Sequence, residues 1–75
     1  MDFSLVYEGV HPDGVKYRVR FISSMFYYAE QLPDGYGGWV WHTVMRSPHK
    51  TAIDKRVIAD RDAKTQHMDM LKERG

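Results

Sequence analysis

The sequence predicts an α+β domain: a three- to four-stranded antiparallel sheet, made of two hairpins, packed on one C-terminal helix. Three observations carry that expectation. In "VKYRVRFI", Val15, Tyr17, Val19 and Phe21 alternate with Lys16, Arg18 and Arg20, the period of a half-buried strand. Two turn sequences, "HPDG" and "PDGYGG", each stand between strand-like runs. After Arg46 the period becomes helical, with Ile53, Val57, Met68 and Leu71 on one stripe at about 100° per residue. Residues 1–46 are therefore assigned to the sheet and residues 47–74 to the helix, and the 75 residues to one small domain.

The first strand, "FSLVYEGV", alternates less cleanly, with Phe3, Leu5 and Tyr7 on one face and Ser4, Val6 and Glu8 on the other. The turn after it has a mechanism: proline presets φ, aspartate bonds its own backbone, and glycine accepts positive φ. Its length follows from the faces. A four-residue loop would set Tyr7 against Arg18 and Leu5 against Arg20, mixing apolar and basic side chains. A three-residue loop over residues 12–14, with Gly14 left-handed, pairs Tyr7 with Val19, Leu5 with Phe21 and Glu8 with Arg18. A one-residue slip flips every side chain, so the second register is expected.

"MFYYAEQL" and "WVWHTVMR" form the second hairpin, joined to the first by a turn at Ser23 and Ser24 that brings Tyr27 beside Arg20. Here two registers stay open. A six-residue loop pairs Leu32 with Trp39 and Tyr28 with Thr43, placing both tryptophans on the core face. A loop of "PDG" alone pairs Ala29 with Trp39 and Tyr27 with Trp41, placing both beside Arg18 and Arg20.

The helix has two start signals: Ser47 as cap with Pro48 at the first helical position, or Thr51 as cap with Asp54 three residues on. The stripe of larger residues is expected to cover the sheet. Ala52, Ala59, Ala63 and Met70 form a neighbouring stripe, either solvent-facing filler or a seam for a second copy. Between the stripes Arg56, Asp60 and Lys64 recur at i, i+4, with His67 nearby. That ladder means paired charges between two contact surfaces, or a helix broken near "RDAKTQ".

Composition narrows the function. A chain this short buries only about 60% of its unfolded surface, so each large side chain matters. Without cysteine it has no disulfide or thiolate metal site; ten aromatics are the alternative source of stability, with self-association a second. Net charge is +1, and the basic excess lies in the C-terminal part: residues 1–45 carry three basic and five acidic side chains, residues 46–75 eight and five. Nothing at the start has the pattern of a secretion signal, and no apolar run approaches the roughly 20 residues of a membrane span. The expectation is a cytoplasmic protein without a membrane partner.

Catalysis and metals draw most often on histidine. His11, His42, His49 and His67 are scattered, with no HExxH or equivalent spacing. Ser23 and Ser24 lack a nucleophile elbow. "DGYGG" lacks the lysine of a phosphate loop, and glycine there relieves a tight hairpin. Asp54, Asp60, Asp62 and Asp69 each have a basic neighbour on the helix, as solvated ion pairs do. No catalytic residue, metal site or cofactor is expected, and the protein is read as not an enzyme.

The strongest functional signal is the second sheet face, where Lys16, Arg18 and Arg20 project with Tyr27 and, in one register, Trp39 and Trp41. Cations neutralise phosphates, and flat aromatics stack bases or anchor protein partners. The plain alternative is that basic residues keep an antiparallel sheet solvated. In element order, a sheet followed by a helix is similar to integrase arm-binding and AP2-type domains, which use a sheet to read DNA; the likeness carries over no residues. The expected function is a small binding or regulatory protein, with nucleic acid as lead partner through these six residues. The alternative is a protein-interaction module or inhibitor of a larger protein, with a homodimer formed through the C-terminal helix.

Overall fold

In the computed structural model, which describes residues 3–74, four strands run in chain order across one antiparallel sheet and a single helix covers one face. Strand β1 spans Phe3–Val10, β2 Lys16–Ile22, β3 Met25–Pro33 and β4 Trp39–Ser47; helix α1 spans Lys50–Arg74. The α+β class read from the sequence is the observed one.

The first hairpin closes as the alternation requires. The His11 N–H donates to the Val15 carbonyl at 2.9 Å, with Gly14 in the left-handed region at φ 88°. Residues 12–14 are the loop, Tyr7 pairs with Val19, and Glu8 with Arg18. One expected pair is corrected: Leu5 lies opposite Arg20 rather than Phe21, because a β-bulge at Val6 shifts the register. Val6 and Tyr7 both pack on the core, and Leu5 is left half exposed on the other face.

Neither expected register of the second hairpin is observed. Pro33 pairs with Trp39, so residues 34–38 form a five-residue loop. Asp34 organises it: one carboxylate oxygen accepts the Tyr36 N–H at 2.7 Å and the Gly38 N–H at 3.0 Å. Gly35 and Gly37, both at φ 86°, supply conformations that side chains rarely adopt. The pairing continues as Gln31 with Trp41 and Ala29 with Thr43, until a second bulge at Val44 sets Tyr28 opposite Met45. Val44 and Met45 both pack on the core.

That core is Val19 from β2, Tyr28 from β3, and Ile53 and Val57 from α1, all buried. The start of α1 differs from both expectations. Ser47 ends β4, its Oγ accepts the His49 N–H at 3.1 Å, and the helix begins three residues later. Asp54 is not part of a capping box; it accepts from Tyr7 and pairs with Lys50. The helix is continuous through residues 61–66. Its larger-residue stripe covers the sheet only in its first half: Ile53 and Val57 are buried, whereas Met68 is half-buried and Leu71 exposed.

The length mismatch explains this: 25 helical residues rise about 37 Å, more than the roughly 30 Å of a nine-residue strand. Among the described residues no helix is long and apolar enough to cross a membrane.

Polar groups complete the helix–sheet joint. The Tyr28 hydroxyl donates to Asp60 Oδ2 at 3.0 Å, and Asp60 also pairs with Arg56. With its one proton spent, Tyr28 accepts from His11 Nε2 at 2.7 Å, which fixes the neutral His11 tautomer and leaves Nδ1 as a bare buried acceptor. Lys64 does not continue the ladder; it reaches off the helix to Glu30 at 2.6 Å and Asp13 at 3.1 Å. Burial acts to lower the Lys64 pKa, but the two carboxylates outweigh it and the net shift is upward.

Candidate functional site

The face away from α1 collects the sequence-predicted residues. Cross-strand partners share a face, so the pairings of Glu8 with Arg18, Arg18 with Ala29, Arg20 with Tyr27 and Gln31 with Trp41 put these side chains together. Lys16, Arg18, Arg20, Tyr27, Trp39 and Trp41 are all on this open face. The observed register adds two residues that alternation did not reveal, Gln31 and Arg46.

Arg46 joins only because of the bulge at Val44. Strict alternation from Trp39 and Trp41 would send an even-numbered residue to the covered face, and the extra residue restores it beside Tyr27. The open face thus carries four cations, Lys16, Arg18, Arg20 and Arg46, and along β1 one acid, Glu8.

A small residue organises its centre. Ala29 is only 2% exposed although it lies on the open face. It leaves room for Arg18 on β2 to cross β3 and lay its guanidinium over the Trp41 ring on β4, 3.8 Å from the centroid. Burial, and then the charge of Arg20, lower the Arg18 pKa, while Glu8 acts the other way. The guanidinium remains charged at any physiological pH. Two positive side chains held close on one face repel one another, and an anion between them relieves that repulsion.

Trp39 is the opposite case, 65% exposed, and Tyr36 at the loop tip beside it is 94% exposed. Two shallow depressions lie at this end of the face. One, of about 570 Å³, is walled by Trp39, Pro33 and the first hairpin turn. The other, of about 380 Å³, is walled by Trp41, Glu8 and Val10. Lys16 and Gln31 line both.

The histidines contribute differently. His11 stacks on Tyr17 at 4.3 Å between ring centroids and is 2% exposed. Its relay through Tyr28 to Asp60 has the residue types of a proton shuttle, but Tyr28 is fully buried and no substrate can reach it. The relay clamps helix to sheet. Among the described residues no three His, Asp or Glu side chains converge as metal ligands would. On α1, Ala59 and Ala63 are exposed, as are Met70 and Leu71 further along. Comparison with known proteins finds no matching family model, no matching curated protein and no matching solved structure.

Proposed function

We propose that this chain is a non-enzymatic binding protein whose open sheet face holds nucleic acid. The observation that carries the reading is the gathering of four cations and three aromatic rings on one uncovered face, against a single acid along β1. Phosphates supply the negative charge this face needs, and bases supply flat surfaces for its rings. Solvation of the sheet accounts for the basic residues but not for Trp39, whose large apolar ring stands mostly in water.

Both tryptophans of the chain lie on this face, so tryptophan emission, excited selectively over tyrosine, reports on it. A mixed short oligonucleotide at low salt is expected to quench that emission. Affinity is expected to fall some tens-fold between roughly 50 and 200 mM salt, as neutralising about three phosphates implies. The double variant Arg18→Glu and Arg20→Glu should abolish binding. If it binds as the unaltered chain does, the reading is wrong.

A protein partner is the second reading, and one observation favours it. Leu5 and Val10, both exposed, extend the open face with apolar surface along the β1 edge. An interface anchored there holds its affinity across the same salt range, which separates the two readings.

A further inference from the structure

We infer that the nucleic acid is single-stranded and extended, with one base against Trp39, the next against the Arg18 guanidinium that lies over Trp41, and the phosphate between them at Lys16. This rests on the nucleic-acid reading above and goes further by fixing the state of the strand and its register.

The spacing of the two tryptophans decides between single strand and duplex. They are two residues apart on β4 and on the same face, hence about 6.6–6.8 Å apart along the strand. Bases in a stacked strand rise about 3.4 Å each. A strand that places one base at each tryptophan, the second on the guanidinium over Trp41, is therefore drawn out to about twice the stacked spacing. A duplex also keeps its base faces inside the stack and presents only their edges in the grooves. Stacking on Trp39 and on the Arg18–Trp41 stack needs unpaired bases.

The two depressions match this arrangement. Each has one tryptophan as a wall, and each falls within the roughly 300–1,000 Å³ of small-ligand sites. They share Lys16, a flexible point charge that suits the bridging phosphate, and Gln31, whose amide offers both a donor and an acceptor to a base edge. Trp39 offers an open ring to the first base. The second base meets the Arg18–Trp41 stack, a flat surface that is already cationic. Each depression also has a carboxylate in its lining. Glu8 in the second repels phosphate, while Asp13 in the first is paired with Lys64 at 3.1 Å, so Lys16, common to both, is the cation left for the phosphate.

The test titrates the full chain, at about 50 mM salt, with a labelled single-stranded oligonucleotide of about ten mixed-sequence residues, within the usual site sizes for such proteins. The same strand annealed to its complement is the comparison. Binding is read by anisotropy and by tryptophan quenching.

The expected result is a single strand bound at least about tenfold more tightly than the duplex. Trp39→Ala should lose about tenfold or more, and Trp39→Phe should recover most of that loss. Lys16→Met should reduce the dependence on salt by about one ion.

Trp39 stands outside the core, so the alanine variant keeps the fold; quenching of the unaltered chain reads the same contact without any substitution. Equal or tighter binding of duplex overturns the single-strand inference while leaving the nucleic-acid reading intact. A single-strand preference that Trp39→Ala leaves unchanged overturns the placement of a base on Trp39. Binding of neither form overturns both.

Discussion

Tyr27 and Tyr28 are neighbours in the chain and opposites in the fold. Tyr28 points under α1, where it is fully buried and its hydroxyl joins His11 to Asp60. Tyr27 points the other way, half-buried beside Arg20 and Arg46. The same contrast holds for whole faces. Under the helix each charge meets its complement: Lys64 with Glu30 and Asp13, Asp60 with Arg56, Asp54 with Lys50. On the open face the strands carry four cations and, along β1, one acid, and a guanidinium lies on an indole. One face spends its polar groups on joining helix to sheet, and the other is the face proposed above to meet a ligand.

The sharpest way to break that comparison is to truncate the two tyrosines separately. Tyr28→Ala removes a buried ring and leaves His11 and Asp60 without their common partner, an expected loss of about 3–5 kcal/mol. A 75-residue domain has only about 4–11 kcal/mol in total, so this variant is expected to be marginal or unfolded. Tyr27→Ala should lose no more than about 1 kcal/mol of stability while weakening oligonucleotide binding. Urea midpoints for the pair measure the first difference, and anisotropy the second. Equal midpoints would mean that the assignment of faces is wrong.

Acid sharpens the same contrast, because the covered face holds a histidine that resists protonation. Burial, and then the charge of Lys64, lower the His11 pKa, although Glu30, Asp13 and Asp60 all face it and act the other way. The unfolded chain takes up a proton near the ordinary value of 6.5, and the folded chain only at lower pH. In between, the unfolded state binds more protons, so stability is fully present above about 6.5 and declines as the pH drops below it. Asp13 and Asp54 have lowered pKa values too, but their contribution is present above their ordinary value of 3.8 and is lost below it. The two windows are separate. Urea midpoints measured from pH 7.5 down to 5 should fall for the unaltered chain and stay level for His11→Gln. A level profile in both would show that His11 is not held neutral in the folded state.

How much of this was legible in the sequence depends on where regularity breaks. The helix, the three-residue first loop and the basic face followed from alternation and turn chemistry, since Lys16, Arg18 and Arg20 sit in an uninterrupted strand. Leu5 and Arg46 were misplaced or missed for one shared reason. Each lies beyond a bulge, and one extra residue inverts the parity on which face assignment rests. Trp39 and Trp41 could not be assigned because their face depends on loop length, and that is set by Asp34 bonding two backbone N–H groups across the turn. The sites of Lys64 and Asp60 were hidden as well. At i, i+4 they read as one solvated ladder, while in the fold each answers to a different group on the sheet.

The smallest expected effect concerns the turn that holds Arg20 beside Tyr27. Ile22 pairs directly with Met25, so Ser23 and Ser24 form a two-residue hairpin turn, both in the left-handed region at φ 51° and 65°. Such turns favour Asn-Gly, because an L side chain is strained there and glycine is not. Ser24→Gly removes that strain but gives the unfolded chain more freedom, so the net gain is only about 0.5 kcal/mol. In a domain of this size that raises Tm by about 2–4 °C. Because the register of Arg20 with Tyr27 is unchanged, oligonucleotide affinity should stay constant while Tm rises. A lower Tm would show that Ser24 is not left-handed in solution, and the pairing of β2 with β3 at that end would need another register.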